Sequence, residues 1–388
     1  MSISRLRPFV AVVALSALLA GCGEAGSADT GGRTTTDAVL EKARTLVAAN
    51  FAGTDRDLPA SGPAAVKGKN VVALACSATA PGCALPAQGF VDAATALGWT
   101  ARLVDGKLDP SVYNTQIRAA ATAGADAVAL FGVDCAAAEG AIKSARQAGT
   151  LVFAGNALDC DDTYAGGGEA IFDGGLIWGT AGTDYGRFLD EQVGTSIAAW
   201  VIAETGGKAK VLQMRQDDSA TTRHTGESEF KALSECGGCR VDTVPYTGAD
   251  LLGGKLQAKL SAALQRHPDA DVVMVPADAA ISLGAGAAVE QARAGGRELL
   301  LVGHEGVPSS IQLIRKGQQS FALGRPWPWT GWATADALNR HFAGAPQVDP
   351  GFGFGAMDAE HLPAGDVYDG NADSPSYQDN YRRIWGVS

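Results

Sequence analysis

The sequence predicts an α/β protein built as two doubly wound parallel-sheet lobes. Three observations carry this expectation. Short, nearly all-apolar runs alternate with runs of helical spacing, the pattern of parallel strands covered by helices on both faces. The alternation breaks around residues 180–185 and then restarts, as two successive sheets require. The chain has 388 residues, more than the roughly 250–300 at which a single core stops growing.

The elements follow in order. Apolar residues Val39, Ala43, Leu46 and Val47 predict a helix over Asp37–Asn50, capped by Thr36 or Asp37. A Gly/Pro-rich connector leads to a strand at Val71–Ala75, a helix at Gln88–Leu97, a strand at Thr100–Val104 and a helix at Pro110–Ala123. A strand at Ala127–Phe131, a helix at Ala136–Ala148 and a strand at Leu151–Ala154 complete the first series. The second series begins with a helix at Val193–Glu204 and a strand at Lys210–Met214. It continues with helices at Thr221–Ser234, Leu256–Gln265 and Ala279–Ala294, separated by strands at Val241–Tyr246 and Val272–Val275. A strand at Leu299–Val302, a helix at Pro308–Lys316, an extended stretch at Ser320–Leu323 and a helix at Trp332–Phe342 end it.

Composition excludes several classes. With 46% hydrophobic and 19% charged residues, the chain is too apolar to stay disordered. Its net charge of −11 and lack of a basic run exclude a nucleic-acid binder, which needs clustered Lys and Arg for phosphates. No second long apolar stretch suggests a polytopic membrane protein. Arg5 and Arg7 precede the run FVAVVALSALLA at residues 9–20, too short to span a bilayer. Together they read as a signal peptide over residues 1–21. The sequence Leu19-Ala20-Gly21-Cys22 resembles the bacterial lipobox, which implies cleavage before Cys22 and lipid on its sulfur. Residues 22–66 would then be a lipid-anchored tether with a short helix, its small and polar start at Gly23–Thr36 being flexible.

Six cysteines remain, and an even number outside the cytoplasm suggests disulfides. The expected pairs are Cys76 with Cys83, Cys135 with Cys160, and Cys236 with Cys239. Cys135 and Cys160 follow the third and fourth strands, which neighbouring positions would bring together. The rival for Cys236-Gly237-Gly238-Cys239 is a zinc or redox motif, but no second CxxC or His cluster supports zinc. No strand precedes it as a redox site would require.

Open parallel sheets bind ligands at the carboxyl ends of their strands. The informative positions are therefore Ser77 to Thr79, Phe131 to Asp134 and Asn156 in the first lobe. In the second they are Arg215 to Asp218, Asp278, His304 with Glu305, and Arg325 to Trp329. Several stretches at these places carry a family likeness: GWTARLVDGKLDP (98–110), AGADAVALFGVD (123–134), Arg223-His224-Thr225-Gly226, VMVPADAAISLGA (273–285) and LLVGHEGVPSSIQLIRKGQQSFALGRPWPWTGWATADAL (300–338). From about Lys69 onward the chain resembles the class I periplasmic solute-binding proteins, the ribose- and galactose-binding type that serves sugar ABC transporters.

That resemblance implies two lobes joined by a multi-strand hinge, closing on a small polar solute, expected to be a carbohydrate. It implies residues 67–182 as the first lobe, 183–323 as the second, 324–350 as a return to the first, and 351–388 as a tail packing on both. The implied ligand set is Ser77, Phe131, Asp134, Asn156, Arg223, Asp278, Glu305, Arg325 and Trp327. Arg223 offers a planar fork of donors, and Trp327 a face on which a sugar stacks. Asn156 and Glu305 stand where ribose-type relatives carry Asp, Arg325 where they often carry Gln, and Ala277 where they carry Asn, which weakens ribose or galactose as the ligand. Asp134, Asp278 and Glu305 would serve equally as caps of the helices after them. Trp332 reads as a packing residue; Trp178 and Tyr185, near the inter-lobe break, read as packing first and as lining of the cleft or the hinge second.

An enzyme would need a nucleophile–base pair or a metal cluster. The five histidines form no HExxH and no GxSxG occurs. His304 beside Glu305 reads as a base in a cleft hydrolase, a ligand contact or a packed loop residue. The expectation is a monomeric, cofactor-free and metal-free substrate-binding lipoprotein, anchored outside the cell membrane and partnered by ABC permease subunits. A ligand-sensing ectodomain serving a membrane receptor or kinase is the alternative.

Overall fold

The computed structural model describes residues 30–179, 182–370 and 376–388. The expected leader over residues 1–21 and the lipidation site Cys22 lie outside these residues. Among the described residues, no helix is long and apolar enough to cross a membrane.

The chain opens with α1 (Thr30–Ala52), longer at its start than the helix expected over Asp37–Asn50. The first sheet contains β1 (Asn70–Ala75), β2 (Thr100–Asp105), β3 (Ala127–Phe131), β4 (Leu151–Asn156) and β5 (Gly174–Gly175). Its order is β2-β1-β3-β4-β5, and every pair is parallel. Its crossover helices are α2 (Pro81–Ala96), α3 (Pro110–Thr122) and α4 (Cys135–Gln147). Central β3 is buried throughout and edge β2 is half exposed, as the apolar and mixed sequences of these two strands dictate. Pro110 starts α3, and the Asp109 side chain accepts a hydrogen bond from the Ser111 amide.

The second series starts with α5 (Tyr185–Phe188), a π-helical turn over Leu189–Gly194, and α6 (Thr195–Glu204). The helix expected from Val193 therefore begins earlier. The sheet that follows holds β6 (Lys210–Gln216), β7 (Arg240–Tyr246), β8 (Val272–Met274) and β9 (Leu300–Val302), all parallel, in the order β7-β6-β8-β9. Its helices are α7 (Ala220–Ser234), α8 (Gly248–Leu252), α9 (Leu256–Arg266), α10 (Asp278–Ala280), α11 (Gly286–Ala294) and α12 (Pro308–Arg315). The single helix expected at Ala279–Ala294 is instead broken between α10 and α11. Gly284, at φ 139°, leaves helical geometry there and lies against the Gln257 backbone.

The chain then returns. Phe321 bridges Val302, and β10 (Ala322–Gly324) pairs antiparallel with β11 (Gly355–Met357). Between them α13 (Trp327–Phe342) packs on α2 in the first lobe. It begins at Trp327 rather than at the expected Trp332, because Pro326 and Pro328 suit a helix start rather than a loop. The two helices approach through paired notches. A Cβ on Gly331 would collide with the Pro86 carbonyl, and one on Gly89 with that of Pro328.

A final helix, α14 (Tyr377–Trp385), was not anticipated. Trp385 stacks on Trp332 at 5.7 Å with ring planes 4° apart. Its Nε1 donates to Asp336 Oδ1 at 2.7 Å, and Arg340 Nε donates to Asp336 Oδ2 at 2.7 Å. The buried carboxylate thus has both a cation and a neutral donor, which burial of a charge demands.

The three expected disulfides are present, Cys76–Cys83, Cys135–Cys160 and Cys236–Cys239, with Cα separations of 5.6, 5.0 and 5.6 Å. With Cys236 and Cys239 oxidised to one another, that pair has no thiolates for zinc. Replacing Trp385 with Ala should destabilise the fold by about 3–5 kcal/mol, the usual loss for a buried Trp. Denaturant unfolding measures this, and a loss under about 1 kcal/mol would show that the Trp332–Trp385–Asp336 contact contributes little.

Candidate functional site

Strand order reverses between β1 and β3 in the first sheet and between β6 and β8 in the second. At such a reversal the flanking loops diverge and leave a crevice beyond the strand ends. The two crevices face each other across a cavity of about 360 Å³. Cys76, Gly132, Asp134 and Asn156 line it from the first sheet, and Gln216 to Thr222 and Ala277 from the second. A larger hollow of about 480 Å³ lies beside β5, under Asp159 to Thr163 and Trp178. Strand ends from only the first sheet reach it, and the Asp159 carboxylate there is occupied by the amides of Cys160, Ile171 and Phe172. The inter-lobe cavity is therefore the better candidate, despite its smaller volume.

Asp134, Asn156, Arg223, Glu305, Arg325 and Trp327, all expected ligand contacts, line the cavity. Ser77, Phe131 and Asp278 do not. The Ser77 hydroxyl pairs with Thr79 Oγ1 at 2.9 Å. Phe131 is fully buried, with its ring 5.7 Å from that of Phe90. Asp278 is also fully buried and accepts from the His304 amide at 2.9 Å and the Val307 amide at 3.3 Å. It holds the loop that presents Glu305.

Asn156 ends β4. A register shift between Leu130 and Phe131 sets it opposite Phe131. Its Nδ2 donates to the Gly82 carbonyl at 3.2 Å, and its Oδ1 is buried with no partner among the described residues. Arg325 follows β10. Its guanidinium lies 4.2 Å over the Trp327 ring, and Nη1 donates to Tyr185 Oη at 3.4 Å, while Nε is buried without a partner among the described residues. One face of Trp327 is thus already covered by Arg325, and its Nε1 donates to the Glu305 carbonyl at 3.1 Å.

The capping alternative resolves differently for each acid. Glu305 Oε2 accepts from the Asp278 amide at 2.8 Å, at the start of α10 rather than of its own following helix. Burial and then the Asp278 charge hold the Glu305 carboxyl well above the usual carboxylate range, against the pull of Arg325. Asp134 precedes α4 without bonding to it, and Oδ1 accepts from the Leu158 amide at 3.0 Å. Burial raises its carboxyl to about 6, opposed by the amides of Leu158, Thr221 and Ala220. His304 is a packed residue. It is 1% exposed, with Nε2 2.8 Å from Glu229 Oε1 behind the sheet ends.

Sequence reasoning missed Tyr113, Tyr164 and Leu108, and favoured packing over cleft lining for Tyr185, although all four line the cavity. Leu108 enters from a left-handed turn, with φ 58° at Lys107 and 51° at Leu108, and packs against the apolar cluster of the second lobe. Two such non-glycine residues in succession carry backbone strain of about 1–3 kcal/mol each. The Asp-Gly-Lys-Leu-Asp stretch after β2 was the only signal, since Gly106 marks a turn there.

Asp134 gives a pH-dependent stability. Its carboxyl is raised from 3.8 to about 6 in the fold, so its contribution is complete below the unfolded value and is lost as pH rises through about 6. Melting temperatures of the protein and its Asp134→Asn variant, compared across this interval, should show the decline in the former and a flatter profile in the latter. Parallel profiles would remove Asp134 as its cause.

A family model described as a periplasmic binding protein domain matches residues 74–346. No curated protein sequence matches. Among similar solved structures is an ABC transporter solute binding protein from Agrobacterium vitis bound with alpha-D-tagatopyranose. It is 18% identical, with a TM-score of 0.65, covering 77% of this chain and 97% of that one. A glucose-galactose binding protein from Geobacillus stearothermophilus is 16% identical with a TM-score of 0.62, covering 76% and 99%. A Caulobacter myo-inositol binding protein bound to myo-inositol is 17% identical with a TM-score of 0.61, covering 76% and 94%. At such identities these structures speak for the fold alone. The family match runs through both sheets and the cleft between them, and the chain belongs to the periplasmic binding protein family.

Proposed function

We propose that the protein is an extracytoplasmic substrate-binding component of an ABC importer, taking a sugar or similar small polar solute between its lobes. The observation that carries this reading is the pairing, at one cavity, of Asn156 and Arg325. Each has a buried polar atom without a partner among the described residues, one an acceptor and the other a donor. A buried polar group left unmade costs about 1–3 kcal/mol, and a polyhydroxylated solute supplies both a donor and an acceptor. Asp134, Arg223, Glu305 and Trp327 complete the proposed contact set, with Tyr185 added. The sugars and polyols bound by structural neighbours agree with this choice.

In this reading residues 67–182 and 183–323 are the two lobes, 324–350 return to the first, and 351–388 pack across both. Residues 1–21 are a cleaved leader and Cys22 carries the lipid. The anchor keeps the receptor near its permease, since several acyl chains at about 0.8 kcal/mol per buried CH₂ hold firmly.

A thermal-shift screen of tagatose, inositols, hexoses, pentoses, polyols and sugar acids tests the function, because a ligand bound only by the native state raises the melting point. At least one should do so without being turned over. Arg325→Met should then weaken its binding about tenfold or more, the cost of a lost charged hydrogen bond, with the fold retained. A panel without any shift, or release of a chemically altered sugar, would overturn the reading. Metabolic labelling with a radioactive fatty acid should mark the protein and fail in Cys22→Ala. Equal labelling of the two would dismiss the anchor.

A further inference from the structure

Helix α7 of the second lobe presents Arg223 and His224 in succession, and both meet the loop that follows β4 of the first. His224 Nε2 lies 2.7 Å from Asp162 Oδ2, across the boundary between the lobes. Its Nδ1 lies 3.0 Å from Asp190 Oδ1 on the π-helical turn before α6. The imidazole is 8% exposed and Asp162 15%. Beside them the Arg223 guanidinium lies 4.3 Å over the Tyr164 ring. That ring meets the imidazole edge-on at 4.7 Å.

Two carboxylates on opposite ring nitrogens are both satisfied only by an imidazolium, because a neutral ring has one donor. The surroundings are built for the contact. A Cβ on Gly186 would fall 2.8 Å from Asp162 Oδ2 and 3.1 Å from His224 Nε2, so glycine there leaves room for the pair. Other contacts join the lobes nearby: Leu108 packs on the second-lobe cluster, and Asp134 faces the first amides of α7. The lobes are thus joined by groups of the protein itself.

We propose that Asp162, His224 and Asp190 form a latch that holds the lobes closed with no solute between them, and that the latch releases when His224 loses its proton. Asp190 is contiguous with α6 and its turn packs on α7, so His224 keeps that partner on opening. Asp162 is the partner that opening removes. The cleft chemistry proposed above is not required for this device, which depends on the lobe boundary alone.

The charged and titratable groups around the imidazole set the direction of its pH response. Asp162 faces it from the first lobe, Asp190 from the π turn, Tyr164 from the loop, and Arg223 and Glu227 from α7 itself. Burial opposes the charge on His224, but the two aspartate bonds outweigh it and hold the group at about 9, above its ordinary 6.5. Burial also opposes the charge on Asp162, yet His224 keeps that carboxyl below its usual value. Tyr164 is pushed upward, chiefly by burial. The His224 contribution to the latch is therefore complete below about 6.5 and lost as pH rises through about 9, while that of Asp162 is lost in acid, below the usual carboxylate range.

Small-angle X-ray scattering on the solute-free protein tests this, with mass spectrometry verifying that no solute has copurified. The radius of gyration should be low near neutral pH and rise through about pH 9. Asp162→Asn and His224→Gln should have the expanded radius already at neutral pH, with unchanged circular dichroism. Should one variant fail to fold, the other variant and the native titration still decide. Variants as compact as the native protein, or a native radius unchanged through about pH 10, would overturn the latch. Because no ligand is added, either result leaves the thermal-shift outcome independent.

Discussion

A parallel strand covered by helices on both faces can present functional groups only beyond its ends. That constraint organises this protein. The strands β1, β3, β6 and β8 spend their side chains on the two cores, and the chemistry moves to the residues just after them. Reversal of strand order opens a gap at each sheet, and the return of the chain through β10 and α13 brings the two gaps together. Arg325 and Trp327 sit at this return, so the same segment that closes the fold also furnishes the cavity.

The cavity is a place of managed charge. Glu305 and Asp278 lie close enough for the charge of Asp278 to raise the carboxyl of Glu305, and Arg325 offsets part of the repulsion. Backbone amides do much of the remaining work. Asp278 takes those of His304 and Val307, and Asp134 takes that of Leu158. Acids that look like ligand contacts therefore divide into those that hold loops in place and those that also face the solute space. Aromatic rings play an analogous double part, with Trp327 under Arg325 and Tyr164 under Arg223. These stacked pairs help hold the guanidinium groups in place, and among the described residues neither guanidinium makes a close ion pair with a carboxylate, which leaves hydrogen-bond capacity for another molecule.

Two levels of attachment between the lobes follow. The chain crosses between the lobes and β10 pairs with β11 through the backbone, while α7 meets the loop after β4 through the side-chain contacts of His224 with Asp162 and of Arg223 with Tyr164. Stability and closure are thus different quantities here. The Trp332–Trp385–Asp336 cluster belongs to the first, and Asp162 with His224 to the second.

The sequence by itself determined the two-sheet alternation, because apolar strand runs and helical spacing are local signals. It also pointed to the three disulfide pairs and to the post-strand positions Asp134, Asn156, Glu305, Arg325 and Trp327, while the family resemblance pointed to Arg223. Only the tertiary structure decided what those residues touch. Asp278 and Asp134 occupy comparable places after strands, yet one is sealed beneath a loop and the other lines the cavity. Phe131 is sealed against Phe90, whereas its register partner Asn156 reaches the cavity. The stretch from Trp327 to Trp332 read as loop and then helix, but α2 receives it as one helix through the Gly89 and Gly331 notches. The His224 contacts span 62 and 34 positions of chain. No spacing rule reaches that far, because the distance between such residues is set by how the lobes meet.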